Sequence, residues 1–152
     1  MAKFPTEVER STTLRVPLAQ GYAFFWDVVG SSRCIPGIAR CEPAGADTYR
    51  FTFQERSTGP VSMVVRYTAR YTGNGTDEIR FRGIAAPDDN TDVEGVIRLA
   101  AVGPAETRVT IRQTIAPDTP VPRLLQGLIK SFVQKEADTA VEQYLAAVTR
   151  AV

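Results

Sequence analysis

Residues 120–148 read PVPRLLQGLIKSFVQKEADTAVEQYLAAV, and apolar side chains recur in this stretch every three or four positions. The spacing predicts a helix with an apolar stripe along one side, roughly 40 Å long at about 1.5 Å per residue. Pro120 and Pro122 suit its first turn, where a missing N–H costs nothing, and Asp118 or Thr119 can cap it. A stripe of this length needs a partner surface of comparable length.

The residues before this helix predict a succession of strands, because apolar and polar residues alternate along them. Residues 18–29 differ, since they carry aromatic side chains at helical spacing after Pro17 and predict a short helix that Gly30 ends. A second helical turn is expected over residues 31–35. The predicted strands cover residues 7–15, 38–43, 48–56, 61–72, 78–84, 91–102 and 106–115.

The connections between these strands are short, which predicts a sequential antiparallel sheet with one wet face and one covered face. The C-terminal helix is the one predicted element that is long enough to cover that face. We therefore expect a single α+β domain over residues 1–152. In it, a curved antiparallel sheet wraps around a long C-terminal α-helix, and two short helices follow the first strand.

The composition excludes several classes of site. The chain has 152 residues, a formal net charge of +1 and no histidine. So small a charge argues against binding nucleic acid. Without histidine there is no Ser-His-Asp or Cys-His catalysis and no common zinc site, so we expect no cofactor or metal. Cys34 and Cys41 are seven residues apart, and we interpret them as two buried thiols rather than as a disulfide.

The sequence also bears on where the protein is found. No apolar run approaches the roughly 18 residues that cross a membrane, and the N-terminus lacks the apolar core of a signal peptide. We therefore expect a cytoplasmic protein. An exposed strand edge could pair two protomers, which leaves both a monomer and a homodimer open.

Large aromatic side chains occupy alternate positions in the predicted strands, so they lie on the same face of the sheet. If they point inward, they form either the wall of a ligand cavity or a filled core, and periodicity alone favours the filled core. Gly95, Ala69 and Ala101 have the same parity, and small residues would leave room for a ligand. The inward aromatic set is Tyr49, Phe51, Phe53, Tyr67, Tyr71 and Phe81, with Met63 among them.

Glu136 falls inside the apolar arc of the first half of the predicted helix, close to Ile129 and Phe132. A carboxylate that faces a cavity is desolvated, has a raised pKa and can act as an acid or base or orient a ligand hydroxyl. The favoured alternative is a position at the wet margin of the helix, paired with an arginine. Arg10 and Glu55 have inward parity and could be partners of Glu136.

Arginines are frequent at the strand positions that are predicted to point outward, away from the helix. Such a face can dock anionic lipid headgroups or an acidic partner. Glu78, Asp92, Glu94 and Glu106 are interspersed, however, which favours a solvated face with cross-strand ion pairs. The arginines include Arg50, Arg66, Arg70, Arg80, Arg82, Arg98, Arg108 and Arg112.

The order of the elements resembles the helix-grip fold of the START and Bet v 1 superfamily, which includes lipid-transfer domains and polyketide cyclases. The sequence YAFFWDV at residues 22–28, after Val16-Pro17, is similar to the strand-to-helix entry of bacterial members. Cys34-Ile35-Pro36-Gly37 and Thr58-Gly59-Pro60-Val61 resemble the CoxG-like group of carbon monoxide dehydrogenase proteins. The resemblance implies a cavity between sheet and helix that holds an apolar or amphipathic small molecule. In CoxG-like members this implies a membrane-associated lipid or quinone.

The leading hypothesis is a non-enzymatic binder or carrier of a lipid, quinone or polyketide-like molecule, with transient contact to a membrane surface. One alternative is a cyclase or hydratase in which Glu136 and a cavity tyrosine such as Tyr67 transfer a proton. Another is an accessory subunit whose cavity is vestigial. The predicted ligand-binding residues are Tyr49, Phe51, Phe53, Met63, Val65, Tyr67, Phe81, Ile97, Leu99, Leu125, Ile129, Phe132 and Glu136.

Overall fold

The computed structural model describes the backbone of residues 2–3, 5–58, 61–119 and 126–152. It describes the side chains of these residues apart from 2, 3, 58, 61, 63, 119, 126, 128 and 129. The strands are β1 (Ala2–Lys3), β2 (Thr6–Leu14), β3 (Ile38–Gly45), β4 (Thr48–Phe53), β5 (Arg56–Thr58), β6 (Val61–Met63), β7 (Arg66–Gly73), β8 (Glu78–Ile84), β9 (Thr91–Gly103) and β10 (Glu106–Thr119). The helices are α1 (Leu18–Trp26), α2 (Val28–Ser31) and α3 (Gln126–Ala151), and a 3-10 turn at Ser32–Cys34 follows α2.

The main sheet is antiparallel throughout, with neighbouring strands in the order β1-β10-β9-β8-β7-β4-β3. Strand β2 pairs with β10 on the same side as β1, and β5 and β6 form a separate hairpin. The long helix α3 packs against β2 and the Ser32–Cys34 turn. The predicted α+β fold, a curved antiparallel sheet around a long C-terminal helix, is confirmed.

Several predicted boundaries change. The predicted strand 48–56 ends at Phe53, and residues 56–58 pair with β6 instead. Three other changes have a local reason. The predicted strand 61–72 is divided, because the Asn90 side chain accepts a hydrogen bond from the Arg66 N–H and donates one to the Val64 carbonyl. The predicted helix 18–29 is divided at Asp27, whose carboxylate accepts a hydrogen bond from the Gly30 N–H at 3.1 Å and caps α2.

The third change concerns the end of β10. Asp118 and Thr119, predicted as caps of the long helix, continue β10 and pair with Lys3 and Ala2. Residues 120–125, where we expected the helix to begin, lie outside the described residues. None of the helices in the described part of the chain is long and apolar enough to cross a membrane.

Helix α1 contacts the β7–β8 hairpin through the side chain of Tyr22. The Tyr22 hydroxyl accepts a hydrogen bond from the Gly75 N–H at 2.9 Å, and the Tyr22 ring stacks with Trp26. A Cβ at Gly73 would lie 2.1 Å from that hydroxyl, so only glycine permits this approach. The contact holds α1 against the β7–β8 hairpin.

The interior has two parts. In the first, which we call the packed half, side chains from β2, β9, β10 and α3 are 4% exposed or less. Leu99 there lies under α1, 3.2 Å from where a Cβ of Gly21 would be. The packed half consists of the aliphatic side chains that meet this limit: Val8, Leu14, Leu99, Val109, Ile111, Val141, Leu145 and Val148. The second part, which contains the aromatic side chains of β4, β7 and β8, belongs to the candidate site.

Candidate functional site

One wall of the candidate site is an aromatic surface on β4, β7 and β8. Phe51 stacks on Tyr67 with ring centroids 4.9 Å apart, and Tyr71 stacks on Phe81 at 5.4 Å. Offset contacts of this kind stabilise a layer of rings beyond their buried area. We call this surface the aromatic wall; its members are Tyr49, Phe51, Phe53, Tyr67, Tyr71 and Phe81.

Helix α3 presents two stripes one residue apart. Side chains at positions 133, 137, 141, 145 and 148 are buried. The stripe beside it, Phe132, Glu136, Ala140 and Tyr144, recurs once per turn and is only half-buried. Because Tyr144 contacts Phe25 at a ring distance of 6.3 Å, this second stripe borders the interior. We infer that it forms the helical side of the candidate site.

The hydroxyls of Tyr67 and Tyr71 are the main polar groups of the aromatic wall. Burial raises the pKa of both phenols, and proximity to other tyrosines and to Cys41 adds to the shift. Among the described residues, no group forms a hydrogen bond with either hydroxyl. In the described part of the chain, the enclosed side-chain atoms that lack a hydrogen bond are Oδ1 of Asp89 and Oδ1 of Asp118. The two phenol oxygens therefore border space that a water molecule can enter.

Tyr144 brings a third phenol to the same region from α3. Burial raises its pKa, while a hydrogen bond with Ser31 opposes the shift. Tyr144 in turn adds to the raised pKa of Tyr67 and of Tyr71, after the larger effect of burial. All three remain protonated near neutral pH and can donate hydrogen bonds.

The two cysteines are free thiols at the margin of this region; they are half-buried, whereas the sequence-based interpretation was that both are buried. Burial is the largest cause of the raised pKa of Cys34 and of Cys41. Cys41 also interacts with the Ser32 hydroxyl, which opposes its shift. A raised pKa keeps a thiol protonated and therefore poorly nucleophilic. Within the described residues, no group of three or more His, Cys, Asp or Glu could hold a metal ion.

Glu136 lies where the site meets solvent. Its carboxylate accepts a hydrogen bond from the Arg56 guanidinium at 2.6 Å, and the two side chains are 40% and 58% exposed. This ion pair joins α3 to the β5–β6 hairpin. The partners suggested by sequence parity lie elsewhere, because Arg10 pairs with Glu142 and Asp138 and Glu55 accepts a hydrogen bond from Ser62.

The remaining predicted site residues are distributed unevenly. Val65 is half-buried beside the aromatic wall, whereas Ile97 and Leu99 belong to the closely packed core. Leu125 and the side chains of Met63 and Ile129 lie outside the described residues.

The small residues of inward parity do not leave room for a ligand, contrary to our expectation. A Cβ on Gly95 would lie 2.4 Å from Cζ of Phe81, its direct cross-strand neighbour, so the phenyl ring fills that space. Ala69 is fully buried, and Ala101 is exposed.

Tyr144 and Arg56 were not among the predicted site residues. Tyr144 lies four residues after Ala140 and eight after Glu136, so the stripe that contains Glu136 could have revealed it. Arg56 gave no signal, because its pairing with Glu136 depends on how the β5–β6 hairpin folds back toward α3.

No family model and no curated protein matches this sequence. Solved structures do match it over nearly its whole length. A START superfamily protein from Mycobacterium smegmatis has a TM-score of 0.70 and 16% identity, covering 96% of this chain and 96% of that one. An aromatase/cyclase from a Streptomyces species has a TM-score of 0.61 and 16% identity, covering 97% of this chain and 90% of that one.

A protein from Deinococcus radiodurans has a TM-score of 0.57 and 20% identity, covering 93% of this chain and 99% of that one. At such identities the likeness concerns the fold alone. This chain has the helix-grip fold of START-like proteins.

Proposed function

We propose that the protein binds an apolar small molecule between α3 and the aromatic wall, without transforming it. The observation that carries this proposal is the pair of buried hydroxyls on Tyr67 and Tyr71, which lack hydrogen-bond partners among the described residues. Water that reaches these hydroxyls can be displaced by a ligand. A ligand oxygen that accepts the same hydrogen bonds would replace the water without loss of hydrogen bonding.

The chemistry of the wall narrows the class of ligand. Phenols held neutral by burial donate hydrogen bonds, so they favour a carbonyl or ether oxygen over an ammonium group. The rings around them favour an apolar or aromatic body. A quinone, an aromatic polyketide or the ester region of a lipid has both features. A fold shared with an aromatase/cyclase is compatible with such a ligand.

We extend the proposal to the family subgroup, the exchange of the ligand, and the location and oligomeric state of the protein. The Ile35-Pro36-Gly37 sequence supports a relationship to the CoxG-like group of carbon monoxide dehydrogenase proteins, and hence a lipid or quinone that is exchanged during transient contact with a membrane. We further propose one cytoplasmic domain over residues 1–152, as a monomer or homodimer that requires no cofactor.

The enzymatic alternative depends on Glu136. This side chain is paired with Arg56 and 40% exposed, which favours a hydrated carboxylate that orients or admits a ligand. Tyr67, with its raised pKa, is a poor base at neutral pH. A binding role therefore agrees better with the geometry, and proton transfer by Glu136 remains the second candidate.

Native mass spectrometry of the protein purified from its own host tests the proposal. We expect a retained small molecule of a few hundred daltons. In Tyr67→Phe and Tyr71→Phe variants the dissociation constant for that molecule should rise about 5- to 10-fold, as expected for the loss of roughly 1–1.4 kcal/mol of hydrogen bonding. Tyr22→Phe is the matched control, because its hydroxyl serves the β7–β8 hairpin.

Two results would contradict the proposal. The first is a protein that carries no ligand and takes up neither a quinone nor a phospholipid when these are supplied. The second is a ligand that binds equally well to the wild type and to the Tyr67→Phe and Tyr71→Phe variants. A retained ligand that the protein converts, with conversion lost in Glu136→Gln, would favour the enzyme instead.

A further inference from the structure

The outer face of the sheet, away from α3, carries an open groove of about 710 Å³. Five arginines and two glutamates contribute to its lining, a formal charge of +3, although the whole chain carries only +1. Positive charge is thus concentrated on this face, and a concave site focuses its field on anions. The arginines are Arg70, Arg80, Arg82, Arg98 and Arg112.

Three of these arginines form ion pairs within the protein. Arg80 and Arg98 both bind Glu78, at 3.0 and 3.2 Å. Their hydrogen bonds lower the pKa of the Glu78 carboxyl. Arg112 binds Glu7 at 2.7 Å. This part of the face is the solvated network of cross-strand ion pairs that the alternating charges indicate.

Arg70 and Arg82 are different. Among the described carboxylates, Arg82 approaches only that of Glu94, at 3.8 Å. The two side chains are 83% and 64% exposed, so this ion pair contributes little to stability. None of the carboxylates in the described part of the chain forms an ion pair with Arg70. These two guanidinium groups therefore remain available to an external anion.

The pairing of the strands places Arg70 directly opposite Arg82 across β7 and β8. Like charges in facing positions destabilise a sheet, and a glutamate at either position would stabilise it. A residue choice that opposes local stability is expected where a site serves a function. An anion bound between the two arginines would turn this repulsion into attraction.

We propose that this groove binds an acidic segment of a partner protein, with a carboxylate held between Arg70 and Arg82. Guanidinium forks match carboxylates in two-pronged geometry. The groove crosses five strands, on the order of 20 Å, which fits about six residues in an extended conformation.

The groove also offers apolar contacts. Val96 lies in its floor, 7% exposed, between Arg80 and Arg112 on the neighbouring strands, and Ile84 is exposed at its border. An acidic segment with apolar residues between its carboxylates matches this arrangement. A recess with its apolar floor covered suits a narrow chain better than the flat surface of a membrane. The proposal is independent of the interior site.

Fluorescence anisotropy with a labelled hexapeptide of alternating glutamate and valine tests the groove, with a glutamine-valine peptide as the probe control. We expect the acidic peptide to bind the wild type and the glutamine peptide to bind at least tenfold more weakly. The double variant Arg70→Gln, Arg82→Gln should bind the acidic peptide at least fivefold more weakly. Arg108→Gln is the matched control, because Arg108 is exposed on the same face but outside the groove.

The melting temperature of the double variant supplies a second measurement. Since the substitution removes two facing like charges, it should leave the melting temperature unchanged or raise it, which separates weaker binding from unfolding. Failure of the acidic peptide to bind at millimolar concentration overturns the proposal, as does equal weakening by Arg108→Gln. Binding to vesicles that contain phosphatidylserine but not to the peptide overturns it in favour of a membrane surface.

Discussion

The packed half and the aromatic wall lie on the same sheet under the same helix, yet they are built differently. The packed half consists of aliphatic side chains that are 4% exposed or less. The aromatic wall includes Tyr49, Phe53 and Tyr71, which are only half-buried, and two hydroxyls without partners among the described residues. Close packing without polar atoms stabilises a fold, whereas incomplete packing with free donors prepares a surface for a ligand.

The largest difference between the two regions is expected at alkaline pH. Burial holds the pKa of Tyr67, Tyr71 and Tyr144 above the ordinary 10.0, and the packed half contains no such group. Above pH 10 the unfolded chain releases protons that the folded chain keeps. Stability is therefore intact below pH 10 and falls as the pH rises further, by up to about 1.4 kcal/mol per pH unit for each phenol.

Urea unfolding at pH 8 and pH 11 measures this effect, and Tyr71→Phe should reduce the difference between the two free energies of unfolding. An unchanged pH dependence in Tyr71→Phe would show that this phenol is not held neutral by burial. Leu99→Val, in the packed half, serves as the control and should leave the pH dependence as it is.

The next largest effect is expected when one large side chain is truncated to alanine in the packed half and one in the aromatic wall. Leu14→Ala removes a fully buried side chain and should lower the free energy of unfolding by about 2–5 kcal/mol. Phe53→Ala removes a half-buried ring and should cost less than about 2 kcal/mol, while ligand binding should weaken at least tenfold. Chemical denaturation and ligand titration of both variants check the contrast. If both variants lost the same stability and neither lost ligand binding, the packed half and the aromatic wall would not differ in function.

The smallest effect is expected at the mouth of the site. Glu136 and Arg56 form an exposed pair, which is worth roughly 0–1 kcal/mol, so Glu136→Gln and Arg56→Gln should each change stability by less than about 1 kcal/mol. If the pair only admits or holds the ligand, both variants should alter the rates of ligand uptake and release to the same degree. Stopped-flow measurements compare them. A defect confined to Glu136→Gln, and seen in turnover, would instead assign a chemical role to this carboxylate.

Much of the fold could be predicted because alternation and helical spacing are properties of the chain itself. The rings of the aromatic wall share one face of the sheet, as the parity of their positions indicated. The boundaries were less predictable. The break before β7 depends on Asn90, a side chain more than twenty residues away that binds the backbone of Val64 and Arg66. No local pattern encodes such a contact.

The candidate site was harder to predict than the fold. The ring of Phe81 fills the space above Gly95. It lies there because β8 pairs with β9 in a register that sets Phe81 opposite Gly95. The neighbour of Glu136 depends on the path of the β5–β6 hairpin. The interaction of Tyr144 with Ser31 depends on the rotation of α3 about its axis.

The sequence by itself determined which positions form strands, which face of each strand is apolar, and that one long helix must cover that face. Those properties follow from the period of side chains along a single segment. Only the tertiary structure decided which interior side chains are fully buried and which are half-buried. It also decided that Arg70 faces Arg82 and that Glu136 meets Arg56. Those properties depend on the register between strands and the docking of the helix, which join residues distant in the chain.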